Sequence, residues 1–369
     1  MKPVCHITTV HPARDTRIFY KECKSLARAG YKVTLIVING ESFTEDGVEV
    51  MGVPCHFSGR LSRFFRASDA AYRKALEVGA DLYHFHDPEF LPWASRLIKK
   101  GKKVIYDVHE DLPRQMLSKY WIIKPIRKIG SWVAERIENY YAQKMTCIIT
   151  VTDHIGNRFS KFHSHVHLVK NYPELKQMES VVEPHTCRDQ VFYVGSITPE
   201  RGVTGLVDAI ELVRSNVTLN LAGIFSREQY RRELLARKGW KRVNEIGFAD
   251  RQKVNELMQC SFAGLVTLHP IPNYPDALPV KMFEYMAAGL PVIASDFPMW
   301  REIVEGNRCG ICVNPLNPAE ISAAIDRLYD DPKMVQEMGK NGQKAVSEMY
   351  NWANEELILI STYQKILND

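Results

Sequence analysis

Asp276, Lys281 and Glu284 fall within nine residues, bracketed by Pro275, Pro279 and Pro291. A proline-rich loop followed by an apolar run reads as the start of a helix whose first turn carries Lys281 and then Glu284. Such a terminus offers unpaired N–H groups and the positive end of a dipole, both suited to phosphate. Lys281 adds a charge there, and Glu284, one turn deeper, can accept hydrogen bonds from sugar hydroxyls. Read alone, the segment also fits a capped surface helix with Glu284 complementing the dipole. A second turn of this kind follows Val194, where Gly195 and Ser196 precede Thr198, Pro199, Glu200, Arg201 and Gly202. Gly195 lets backbone approach a ligand, and Arg201 can pair with a diphosphate.

A different chemistry gathers earlier in the chain. In Leu82–Pro88, alternation along a strand puts His84 and His86 on one face, with Asp87 at a helix start. His109, Glu110 and Asp111 end the next strand-like run. Two histidines need a third ligand to hold a metal, so no metal site is assigned; a hydrogen-bonded structural histidine is the plain alternative for His84 and His109. The first loop, Thr8–Arg17, contains His11, Asp15 and Arg17. Asp15 or Thr16 can cap the following helix.

These groups need a scaffold. The 369 residues are 45% apolar and 25% charged, enough for two globular domains. Strand-like runs at Val4–Val10, Lys32–Ile38, Leu82–His86, Lys103–Val108 and Cys147–Val151 alternate with helical patterns at Arg17–Ala29, Ser68–Val78, Glu89–Lys99 and Ile126–Lys144. That alternation predicts a parallel sheet covered on both faces. The polar stretch around Pro184 breaks it, and it restarts at Val191. The expected division is 1–172, a linker over 173–189, a second domain over 190–349 and a terminal helix over 350–369. Ligands of such sheets bind at the carboxyl ends of the strands.

Together these residues resemble the E-x7-E region and surrounding motifs of retaining family-4 glycosyltransferases, bacterial polysaccharide-biosynthesis enzymes with the α/β GT-B fold of two facing Rossmann-like domains. The resemblance implies a metal-independent transfer of sugar from a nucleotide diphosphate sugar, a UDP-sugar for preference, to a glycan or polyprenyl-linked acceptor, with no cofactor. It makes His86, Asp276 and Glu284 the catalytic set. Gly195, Ser196, Arg201, Lys281 and Glu284 bind the donor. His11, Arg17, Asp87 and His109 line the acceptor side or cleft. The chain departs from the family pattern in four ways: Asp276 replaces a glutamate, Ser196 stands where an arginine is usual, Arg201 stands where a lysine is usual, and a Gly-Gly pair is missing after the first strand. An epimerase of similar architecture, or a relative that binds nucleotide sugar without turnover, remain alternatives.

Residues 1–170 hold 27 Lys+Arg against 17 Asp+Glu, whereas the remainder hold 21 against 26. The basic half points to an anionic partner. Two basic-aromatic segments, Arg60–Arg66 and Lys119–Lys128, suit an anionic membrane surface; no nucleic-acid recognition motif accompanies them. Without a signal-like or membrane-length apolar run, a cytoplasmic location is expected, with peripheral contact at the inner face of the plasma membrane. Cys309 and Cys312 have a redox-like spacing but sit late, at a short strand, and are read as structural.

Overall fold

The computed structural model describes residues 1–118, 123–175 and 189–368, with the backbone alone at residues 60 and 61. It divides into two compact units, Met1–Asn171 with Trp352–Asp369, and Tyr172–Asn351. Most of the expected 173–189 linker lies outside the described residues, as do Lys119 to Ile122 of the second basic-aromatic segment.

The first unit is built on eight strands: β1 (Pro3–Thr8), β2 (Lys32–Ile38), β3 (Phe43–Glu45), β4 (Val48–Val53), β5 (Leu82–Phe85), β6 (Lys103–Val108), β7 (Cys147–Thr150) and β8 (Val166–Leu168). Their order is β3-β4-β2-β1-β5-β6-β7-β8, and only β3 runs antiparallel. The chain therefore winds outward in both directions from the β1–β5 pair, which is the switch point of the sheet. Alternation gives the sheet two faces. Ile7, Phe85, Tyr106 and Ile148 pack one core, and Val4, Leu82, Ile105 and Ile149 pack the other. Toward the carboxyl ends the second face turns polar, presenting His6, His84, His86 and Asp107. Helix Trp352–Asn368 covers it, with Trp352, Leu359 and Tyr363 buried.

The second unit has six parallel strands, β9 (Gln190–Val194), β10 (Thr218–Ala222), β11 (Val243–Gly247), β12 (Ala263–Val266), β13 (Val292–Ser295) and β14 (Gly310–Val313). The order β11-β10-β9-β12-β13-β14 puts its switch point between β9 and β12. Val191, Leu219 and Leu265 face one core; Phe192, Val266 and Ala294 face the other.

Three local results differ from the sequence reading. The expected helix Arg17–Ala29 is a π-helix over Thr16–Cys23 followed by an α-helix over Lys24–Arg28. A hairpin joins β3 to β4 through Asp46 and Gly47, both at positive φ, a two-residue loop typical of Asp-Gly. The helix expected from Ser68 starts at Arg60. In it Phe64 turns inward against Trp93, while Arg63 pairs with Glu89 at 3.5 Å. Arg63 and Phe64 of that basic-aromatic segment are thus engaged within the unit. Cys309 and Cys312 are free; burial pushes both thiols up to about 12, as expected of structural rather than reactive cysteines.

Candidate active site

Both switch points carry the residues singled out above. In the second unit, β9 is followed by Gly195, whose φ of 133° favours glycine. A Cβ added there would lie 3.0 Å from Lys281 Nζ and 3.2 Å from Arg201 Nη1. The two cations therefore converge on one bare stretch of backbone. The geometry behind this is local. Gly202, at φ 76°, packs so close to the end of β12 that a Cβ would sit 1.9 Å from Thr267 O. The His269 N–H donates to Glu200 O at 3.0 Å. The turn after β9 is thus stitched to the loop after β12. That loop runs on to Asp276, is pinned where Trp300 Nε1 donates to Ala277 O at 2.7 Å, and enters helix Val280–Ala287.

Lys281 is buried, 8% exposed, and its Nζ has no hydrogen-bond partner among the described residues. It sits 3.9 Å from the centre of the Tyr193 ring. Burial, then the Arg201 charge, hold its pKa well below the ordinary lysine value, with Glu284 opposing. A buried ammonium facing a guanidinium is costly unless an anion joins them. Glu284 is engaged: its Oε1 accepts from Arg251 Nη1 at 2.5 Å. Arg251, on helix Arg251–Gln259, was not anticipated; it lies far from Glu284 in sequence and nothing in its own neighbourhood marks it. Asp276 lies in the loop, half-buried, and Ser196 O accepts from the Tyr193 hydroxyl at 2.9 Å.

At the first unit's switch point, Asp87 is the anchor. Its Oδ2 accepts from Thr8 Oγ1 at 2.8 Å and from the Thr9 N–H at 2.7 Å, tying β1 to β5. His11 reaches over this pair, with Nε2 3.5 Å from Asp87 and Nδ1 3.4 Å from Asp15. Burial disfavours charge on His11, but the Asp15 hydrogen bond and the Asp87, Asp15 and Asp107 charges outweigh it and raise its pKa. His11 also borders an open depression of about 460 Å³ shared with Arg14, Asn39 and Phe43.

Beneath lies a buried network around Asp107. Arg17 Nη2 and Nε donate to its two oxygens at 3.0 and 3.1 Å, and Nε also lies 2.9 Å from Glu22 Oε1. Burial works against ionisation of Asp107, yet Arg17 and the neighbouring histidines hold it well below the usual range. Burial and then the Asp107 charge push Glu22 well above it. Asp107 is thus the carboxylate and can only accept. His86 Nδ1 at 3.2 Å and His109 Nε2 at 2.8 Å must both donate to it. A neutral His86 then accepts at Nε2 from His6 Nδ1, 3.0 Å away. His6 Nε2 accepts from the Tyr363 hydroxyl at 2.9 Å, and that oxygen accepts from His84 Nδ1 at 2.7 Å. Burial first of all lowers the pKa of His6, His84 and His86, the last to about 4, in keeping with neutral rings.

This network corrects two expectations. Arg17 does not face an acceptor: it is 3% exposed and neutralises Asp107 inside the unit. His86 does not meet a sugar directly: its side chain is wholly buried and both ring nitrogens are committed. His109, 17% exposed, is the member that reaches the surface, with its Nε2 turned inward to Asp107. The missing third donor for His84 and His86 does exist in space, since Glu22 and Asp107 bring oxygens within 4.8 Å of them. The cation beside those two acids is Arg17.

Comparison with known proteins agrees with this two-unit architecture. Residues 16–172 match the model described as Glycosyltransferase Family 4, and residues 176–345 match Glycosyl transferases group 1. An uncharacterised glycosyltransferase of Methanocaldococcus jannaschii is 29% identical over 177 residues, 47% of this chain and 44% of that protein. The chain spans about half the length of most curated relatives it matches. Among solved structures, sucrose-phosphate synthase from Thermosynechococcus elongatus superposes with a TM-score of 0.79 at 18% identity over all of both chains. Anabaena HepE, solved with UDP-glucose, gives 0.74 at 15% identity over 99% of this chain and 100% of that one. With one family model on each unit and a fold shared along its whole length, the chain belongs to the family-4 glycosyltransferases of the GT-B class.

Proposed function

We propose that this chain transfers a sugar, with retention, from a UDP-sugar to a glycan or polyprenyl-linked acceptor in cell-surface polysaccharide synthesis, working in the cytoplasm at the membrane's inner face. The observation that carries the donor half is the unpartnered, buried Lys281 set with Arg201 against the bare backbone of Gly195. A diphosphate at that point would meet both cations, and their charge would stabilise the leaving group as the bond from the anomeric carbon to the phosphate oxygen breaks. The acceptor oxygen bonds to that carbon, and its proton passes to the departing phosphate. Two cations of the protein's own supply the charge that a metal would otherwise bring. HepE, solved with UDP-glucose, favours uridine.

In this reading Glu284, oriented by Arg251, holds hydroxyls of the donor, and Asp276 reaches toward the transferred sugar. In the first unit, His11, Asp87 and His109 receive the acceptor. His86 and Arg17 act as positioning residues through Asp107. A polyprenyl-linked acceptor agrees with the basic first half and with exposed residues of the two basic-aromatic segments, such as Phe65.

A thermal-shift series with UDP, GDP, CDP and ADP tests the donor site, because a ligand bound only by the native state raises the melting point. UDP should give the largest rise, and the Lys281→Met variant should lose it. No response to any nucleoside diphosphate would refute the reading.

A further inference from the structure

Helix Lys124–Ala142 is inverted relative to an ordinary surface helix. Its inward face is small or polar: Ser131, Glu138 and Ala142 are its buried residues. Glu138 is engaged there, accepting from Tyr106 Oη at 2.9 Å and pairing with Arg158 at 2.7 Å. The outward face carries Ile126, Ile129, Trp132, Val133, Ile137 and Tyr140, between 40% and 64% exposed. Those positions recur every three or four residues, so they form one continuous stripe on the helix. Contiguous exposed apolar surface of this kind marks an interaction site.

The charges beside the stripe say what meets it. Lys124, Lys128 and Arg136 are exposed on the same helix. Arg136 lies over the Trp132 ring at 5.4 Å, and Lys144 lies over the Tyr140 ring at 3.4 Å. The helix holds only two acids, Glu135 and the buried Glu138. No helix among the described residues is long and apolar enough to cross a membrane. An apolar stripe with interfacial Trp and Tyr, flanked by cations and lying along the surface, has the make-up of a helix resting in the headgroup layer of an anionic bilayer.

We propose that helix Lys124–Ala142 docks the first unit onto an anionic lipid surface, burying Ile126, Ile129, Trp132, Val133 and Ile137 among the acyl chains while Lys124, Lys128 and Arg136 meet lipid phosphates. This deepens the reading of the first unit as the acceptor side, since a polyprenyl-linked substrate is presented at such a surface. The docking itself does not depend on any catalytic residue.

The test is flotation of the full chain with vesicles of phosphatidylglycerol and phosphatidylcholine in equal parts, against phosphatidylcholine alone. Binding to the anionic vesicles should exceed binding to the neutral ones and weaken with salt. Ile129→Asp with Val133→Asp should abolish it, and Lys124→Gln with Lys128→Gln should reduce it roughly tenfold or more. Because these side chains are exposed, both variants should keep the melting point and the nucleotide-induced rise, which separates failure of docking from failure of the donor site. Equal binding by the Ile129→Asp, Val133→Asp variant would overturn the proposal. So would a dimer in sedimentation velocity that the same variant dissociates, with no vesicle binding.

Discussion

The two switch points are built alike and charged differently. Each lies where two parallel strands diverge in connection, β1 and β5 in one unit, β9 and β12 in the other. In the first, the buried charges are met internally: Arg17 by Asp107, and Asp87 by hydrogen bonds from Thr8 and Thr9. In the second, Lys281 is buried beside another cation with no hydrogen-bond partner among the described residues, and only the Glu284 charge opposes that of Arg201. A closed network of charges fixes shape, so mutating it should be felt in folding. An open one stores binding capacity for an anion, so mutating it should be felt in turnover.

Arg17→Met is the most severe way to break that contrast. It strands the Asp107 charge inside the first unit and should cost about 3–5 kcal/mol of stability, read as a large drop in the denaturant midpoint. A small drop would mean that the network is not closed as described. Lys281→Met is the counterpart. It should lower donor turnover by about 100- to 1,000-fold, the scale seen when one stabilising donor is removed from a charge-developing site. The melting point should hold or rise, because a buried charge without a hydrogen-bond partner has been removed. Turnover within a factor of a few of wild type would contradict the diphosphate assignment.

The smallest effect concerns pH. His6, His84 and His86 have folded pKa values below the ordinary histidine value of 6.5, His86 at about 4. Above 6.5 they are neutral in both states. As pH falls from 6.5 toward 4 the unfolded chain takes up protons that the folded one refuses, so stability is lost across that window. Glu22, whose folded pKa is raised, works in the opposite sense and blunts the slope. Melting of the first unit should therefore shift down by a few degrees between pH 6.5 and 4.5. His84→Gln should flatten the dependence, and an unchanged slope in that variant would show that the buried rings do not set it.

How legible these features were in the sequence follows the same division. The strands at Val4, Lys32, Leu82, Lys103 and Val191 announce themselves by short apolar runs, and the turns after β9 and β12 by glycine and proline. So the two loops that carry Arg201 and Lys281 could be located from their residue types. The interior of the first unit could not. Arg17 and Glu22 are five apart, which an α-helix sets on different sides. The i→i+5 turn of a π-helix brings them into register, and no residue type signals that turn. His6 pairs with His84 only through the β1–β5 register, and Tyr363 enters from the other end of the chain. By contrast the Asp46-Gly47 hairpin had a local signal that strand periodicity alone passes over.

Tyr363 also sets an order of assembly. Its hydroxyl joins His6 to His84, yet the whole of Tyr172–Asn351 lies between it and the rest of the first unit. During synthesis the earlier segment emerges with its histidines and carboxylates still lacking their cover. Its polar interior can close only after the intervening unit has been made, when helix Trp352–Asn368 arrives. Domains ordinarily fold in the order they are translated; here the later-made unit is the first that can be finished, and the basic one waits for it.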